Sequence, residues 1–261
     1  MTDVSGGDAE WRALLDRKPV PPDRTERYGD HPAQLVDFYE ARSGPDAGGP
    51  TVAVLHGGYW RAAYDRTHLR AFAAELARRG DRRVALLEYR RVGDGEGGGG
   101  GWPATAEDVD AALDLLGAPP GVLLGHSAGG QLALWAAARR ERAAGRVVAV
   151  APLADLARAH ELRLSDGAVA AFLGLDDEGD GKGGGEQRTR ELLDAADPMR
   201  LLPRVPVEIL HGTADADVPP ELSRSYANNW GARLHLLPGV GHFAPFTPDT
   251  PAFGVLLETL T

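Results

Sequence analysis

The chain has no cysteine among its 261 residues. That excludes disulfides, thiolate nucleophiles and cysteine-based zinc or iron–sulfur centres, and it fits a reducing compartment. It also has no run of about 18 apolar residues, so no transmembrane helix is expected. The opening Met1-Thr2-Asp3-Val4-Ser5-Gly6-Gly7-Asp8 lacks the basic and apolar stretches of a signal peptide. The expected location is the cytoplasm. Positive charge is scarce: 28 Lys and Arg against 38 Asp and Glu leave a formal net charge of −10. Nucleic acid and anionic membranes need clustered positive potential, so neither is an expected partner. Arginine pairs such as Arg78-Arg79 and Arg139-Arg140 read instead as solvated helix faces or C-terminal turns. Chemistry must come from serine, histidine and carboxylates, with no metal and no cofactor expected.

What is present is enough apolar content, 43%, for one sizeable core. Short β-rich runs near 26–28, 35–39, 51–55, 83–89, 122–124, 147–151, 207–210 and 234–237 alternate with helical patterns over 69–79, 104–116 and 131–140. This spacing predicts βαβ crossovers and an α/β fold with a mostly parallel, eight-stranded sheet covered by helices on both faces. The first two runs are separated by a turn too short for a crossover helix and predict an antiparallel hairpin. Between the strand near Ala151 and the one near Val207, leucine- and alanine-rich helical patterns are broken by glycines at 179–185. We read 152–203 as a small helical cap inserted into a single domain spanning 1–261. Residues 93–101 contain Gly-x-Gly-x-x-Gly, but seven of the nine are glycine and would match that spacing whatever their role. A surface loop is expected there rather than a dinucleotide fingerprint.

The chemistry concentrates at Gly125-His126-Ser127-Ala128-Gly129, a Gly-x-Ser-x-Gly sequence between the apolar run Val122-Leu123-Leu124 and the helical run that starts at Gln131. A serine at such a strand-to-helix turn has a strained backbone, and its neighbours must be small because strand and helix approach closely. The turn would lift the Ser127 hydroxyl to the C-terminal edge of the sheet and aim the Ala128 N–H at a developing oxyanion. A serine hydroxyl needs an adjacent imidazole, itself held in one tautomer by a carboxylate. Of eight histidines, only His242 lies in a loop just after the last strand, where Gly239 and Gly241 let the chain turn back. His56 and His126 are expected to shape the glycine loops, and His31, His68, His160 and His235 to lie on surfaces or strands. The acid is Asp215 or Asp217, in the turn after 207–210. Asp215 is favoured, because Asp217 precedes Val218-Pro219-Pro220-Glu221 and suits a helix cap.

After 51–55 comes His56-Gly57-Gly58-Tyr59-Trp60, where paired glycines let the backbone turn and present N–H groups to a negative oxygen; Gly58 and Tyr59 are the expected donors. Together with Gly125 to Gly130, His211-Gly212 and Asp215, Gly241-His242, Glu88-Tyr89-Arg90-Arg91 and Gly101-Trp102-Pro103, this motif resembles the His-Gly-Gly-x-Trp group of α/β-hydrolases. That group includes kynurenine formamidase (arylformamidase) and neighbours the hormone-sensitive-lipase-like esterases. The order Ser, Asp, His along the chain is also that of α/β-hydrolases. The resemblance implies a triad of Ser127, Asp215 and His242, an oxyanion hole at Gly58, and hydrolysis of a small formamide or ester without a metal. For N-formylkynurenine, the aryl side is expected to rest on Trp60, Tyr59, Tyr64 or Phe243. A carboxylesterase would use the same triad. A non-catalytic scaffold would normally have lost one of its members, and a peptidase of this fold usually carries a propeller domain for which the chain has no room.

Overall fold

The computed structural model describes residues 5–44, 49–175 and 185–260. Eight strands form one sheet: β1 (Arg24–Arg27), β2 (Leu35–Tyr39), β3 (Gly49–Leu55), β4 (Arg82–Leu87), β5 (Val122–His126), β6 (Arg146–Val150), β7 (Val207–Gly212) and β8 (Arg233–Leu237). Their order is β1-β2-β4-β3-β5-β6-β7-β8. The β1–β2 hairpin and the β2–β4 pair are antiparallel, and every other pairing is parallel. The central strands are Val- and Leu-rich without polar alternation, as burial on both faces requires. Successive residues nevertheless serve different cores: Ala53 and Leu55 of β3 face one apolar cluster, Val52 and Val54 the other.

Helices cover both faces. Helix α1 (Ser5–Leu15), α2 (Arg70–Gly80) and α9 (Pro251–Leu260) pack on one, through Leu14, Phe72, Leu76, Phe253 and Leu256. On the other face lie α3 (Ala104–Leu115), α4 (Ala128–Arg139), α5 (Leu156–Glu161), α6 (Leu164–Leu173), α7 (Gly185–Ala196) and α8 (Pro220–Trp230). Helix α4 is apolar almost all round and is buried almost completely, as that pattern demands. The hairpin, the eight strands and the crossover helices α2, α3 and α4 match expectation to within a few residues at their ends. Helix α1 had no counterpart in the sequence reading.

Residues 93–101 form a loop after β4, in which the Arg91 N–H donates to the Gly97 carbonyl and the Gly100 N–H to the Arg91 carbonyl. The stretch between β6 and β7 supplies α5, α6 and α7; of the glycine-rich break at 179–185, only Gly185 lies within the described residues.

The start of α4 is packed against the ends of β3 and β5 at backbone distance. A Cβ on Gly129 would collide with the carbonyl oxygens of Leu55 and His56, and one on Gly125 with the carbonyl of Gly129. These obstacles are backbone and cannot rotate away. Gly129→Ala is therefore expected to cost about 3 kcal/mol or more, at the top of the overpacking range. Urea unfolding checks this: a midpoint equal to that of the parent chain would mean the junction has slack.

Candidate active site

Strand β5 runs fully buried into Ser127, whose backbone sits at φ 54°, ψ −117°. A non-glycine residue there costs on the order of 1–3 kcal/mol and persists only where its surroundings over-determine it. They do so here. The Ser127 N–H donates to the Val150 carbonyl at 2.9 Å, and its own carbonyl accepts from the N–H groups of Gln131 at 3.1 Å and Leu153 at 3.3 Å. Ala128 is the first residue of α4, so its N–H has no acceptor within the helix and adds to the positive end of the helix dipole.

His242 follows β8 through a turn in which Gly239 has φ 70°. Its ring Nδ1 lies 2.7 Å from Asp215 Oδ2. The other Asp215 oxygen accepts from the N–H groups of Asp217 at 2.9 Å and Val218 at 2.8 Å. Buried His211 lies 3.2 Å from Asp215 through Nε2, which also donates to the Val218 carbonyl; its Nδ1 takes the Ser223 hydroxyl. Burial alone would raise the Asp215 carboxyl, but the facing His242, with hydrogen bonds from both histidines and from Val218, holds it well below the usual carboxylate range. Burial likewise works against the imidazolium of His242, yet Asp215, followed by Asp217 and Glu10, outweighs it and raises His242 above its ordinary value. Asp217 does not cap α8, because Pro219 occupies that position. It is half-buried, and its carboxylate has no hydrogen-bond or ion-pair partner among the described residues. Burial, together with Asp215, Asp8 and Glu10, raises its pKa against the pull of His242.

The His56–Trp60 turn carries three successive residues of positive φ: Gly58 at 109°, Tyr59 at 50° and Trp60 at 56°. Gly58 has no room for a methyl against Tyr64, and the Tyr59 hydroxyl donates to the Asp217 carbonyl at 2.6 Å. The turn therefore bridges the serine and the acid loop. Beneath it, His56 is stacked on Tyr89 and reaches Glu88 at 2.8 Å, while Arg66 and Arg91 pair with the same carboxylate. Trp60, expected among the substrate contacts, is fully buried instead. Its left-handed backbone turns the indole inward, where it stacks on Phe172 of α6 at 4.2 Å.

These parts meet at a cavity of about 500 Å³, lined by Gly58, Tyr59, Tyr64, His126, Ser127, His242, Phe243, Asp217 and Ala216. Gly7, Asp8 and Trp11 of α1, His68, and Ser165 of α6 line it as well, and the sequence reading placed none of them there. Trp11 packs against Phe243 with ring centroids 4.9 Å apart, and against Tyr64 at 6.0 Å. Burial, with His56 nearby, lowers His68 to about 3, so it lines the cavity as a neutral ring. Asp215, Asp217 and His242 bring three possible metal-ligand atoms within 4.8 Å of one another. Asp215 and His242 are already hydrogen-bonded to each other through Oδ2 and Nδ1.

The sequence matches the profile of the alpha/beta hydrolase family over residues 52–253, most of the chain. The chain belongs to this family. Solved structures similar to this hydrolase include esterase B from Lactobacillus rhamnosis with a tributyrin phosphonate inhibitor, 22% identical, TM-score 0.70, covering 97% of this chain and 89% of that one. A putative thioesterase from Silicibacter sp. is 18% identical at TM-score 0.70, covering 97% and 93%. A hormone-sensitive lipase from a metagenome library is 18% identical at TM-score 0.67, covering 97% and 87%. At these identities the likeness concerns the fold. Among curated proteins, the mouse sn-1-specific diacylglycerol lipase ABHD11 is 32% identical over 106 residues, 40% of this chain. The match spans 33% of that protein's length.

Two outcomes follow for the hydrolase. Trp60→Ala should cost about 3–5 kcal/mol of stability through the cavity it leaves, read by chemical unfolding; a change in substrate selectivity at full stability would return Trp60 to the pocket wall. The His242 imidazole should lose its proton with a midpoint above about 6.5, followed by NMR titration, and Asp217→Asn should move that midpoint down by removing a facing negative charge.

Proposed function

We propose that this hydrolase is a serine carboxylesterase acting on small esters, with Ser127 as nucleophile, His242 as general base and then acid, and Asp215 orienting the imidazole. The observation that carries this reading is that Ser127, on its strained elbow, shares one cavity with His242, whose Nδ1 lies 2.7 Å from Asp215. Ser127 Oγ attacks the ester carbonyl while His242 Nε2 takes its proton. The N–H groups of Ala128 and of Gly58 or Tyr59 receive the oxyanion, each worth about 3 kcal/mol in the transition state. His242 then hands the proton to the departing alcohol, and water, deprotonated by the same imidazole, releases the acid and restores Ser127. No step calls for a cofactor. The described residues of 152–203 are read as the cap, and Ser165 of α6 is their contribution to the cavity wall.

A second reading, formamide hydrolysis of the N-formylkynurenine type, draws on the aromatic walls of the cavity: Trp11, Tyr59, Tyr64 and Phe243 offer surfaces to an aryl amine. The charge of the lining favours the ester. Asp8 and Asp217 are acidic, and no lysine or arginine is among the described lining residues to receive the α-carboxylate of such a substrate. An ester without a carboxylate needs no such partner.

Steady-state hydrolysis of 4-nitrophenyl acetate and butyrate beside N-formyl-L-kynurenine, with Ser127→Ala as blank, separates the two. Ester kcat/KM is expected to exceed formamide kcat/KM by at least about tenfold, and all activity to vanish in the blank. The reverse ranking would establish the formamidase; turnover surviving in Ser127→Ala would remove Ser127 from the mechanism.

A further inference from the structure

We propose that Glu10, on the first helix of the chain, is a positioning residue for His242, reaching across more than two hundred residues to hold the histidine loop in its working geometry. The inference rests on the reading of His242 as the base. The Glu10 carboxylate accepts three backbone hydrogen bonds from residues flanking His242: from the Gly241 N–H at 2.9 Å through Oε1, and from the N–H groups of Phe243 at 2.9 Å and Ala244 at 3.1 Å through Oε2. An ionised carboxylate is the side chain suited to this task, with two oxygens, about four acceptor sites and charge-assisted bonds roughly twice as strong as neutral ones. Gly241 is required by the same contact, because a Cβ there would lie 2.7 Å from Glu10 Oε2.

The imidazole is thus held from three sides. Asp215 takes its Nδ1, His126 Nε2 donates to the His242 carbonyl at 3.1 Å, and Glu10 grips the peptide N–H groups before and after it. The helix that presents Glu10 is itself anchored by fully buried Leu14, by Trp11 against Phe243, and by Arg17 on Asp249 at 3.1 Å. The titratable groups around His242 are Asp215 and Asp217 after β7, His126 on β5, Glu10 and Asp8 on α1, and His68 before α2. Of the carboxylates, Glu10 touches the loop backbone rather than the ring. Its loss should disturb the placement of His242 while leaving the Asp215 contact available.

The test compares Glu10→Ala and Glu10→Gln with the parent enzyme on 4-nitrophenyl butyrate across pH. Glu10→Ala should lower kcat by about 10- to 100-fold with KM within about twofold, since misplacing a catalytic group costs rate rather than binding. Glu10→Gln keeps one acceptor oxygen and should lose less. In both, the acid limb of kcat/KM should move to lower pH, because a negative charge near the imidazolium is gone; a purely structural role would leave that limb in place. Unchanged kcat and an unmoved limb in both variants would overturn the proposal. If Glu10→Ala fails to fold, Glu10→Gln decides. If the parent chain shows no Ser127-dependent turnover, the esterase reading falls on its own. The His242 imidazole is then titrated by NMR in the parent chain and in Glu10→Gln: a lowered midpoint supports the positioning role and an identical one refutes it.

Discussion

Everything at the centre of this hydrolase depends on three backbone segments approaching more closely than side chains permit. The end of β3, the end of β5 and the start of α4 meet where Gly125 and Gly129 leave no space for a methyl group. This contact sets the His56–Trp60 turn beside Ser127 and obliges that serine to take its left-handed backbone. The elbow is local, but it is held by Val150 at the end of β6, by Leu153 just beyond it and by the apolar clusters on both faces. A strained residue costing on the order of 1–3 kcal/mol can be kept only in such a rigid frame.

The same logic governs the polar layer under the His56–Trp60 turn. Glu88 and Asp37 are buried carboxylates, answered by Arg66, Arg70, Arg91 and His56. Burying charge is costly unless each group is paired and hydrogen-bonded, and removing one partner costs more than the pair contributes. Both ring nitrogens of His56 face oxygens, those of the Gly57 carbonyl and the Glu88 carboxylate, each at 2.8 Å. The layer fixes the base of the turn from below, while Tyr59 ties its crest to the acid loop. Specificity of conformation, rather than net stability, is the physical return on such a network.

Much of this was legible in the sequence because it is written in short-range spacing. The alternation of strand and helix patterns, the glycines bracketing Ser127 and the order Ser127, Asp215, His242 are local signals, and the structure brings those three residues together. The features that escaped are tertiary. Trp60 sits in a motif that suggests a pocket residue, yet its burial is decided by Phe172, more than a hundred residues away. Asp217 reads as a helix cap, but Pro219 takes that place and leaves the carboxylate at the cavity. His68 looked like a surface residue and lines the cavity. Nothing in the composition of residues 5–15 distinguishes a helix that walls an active site from an ordinary terminal helix, because Glu10 and Trp11 acquire meaning only opposite the 241–244 loop.

The first and last helices therefore stand in opposite relations to the chemistry. Helix α1 opens at the mouth of the cavity, with Gly7 and Asp8 on its rim. Helix α9 closes at the far edge of the sheet, where the Thr259 carbonyl takes the side chain of Arg146 at the beginning of β6. An affinity tag, surface linker or fusion partner is better joined after α9, beside the start of β6, than ahead of α1, beside the cavity.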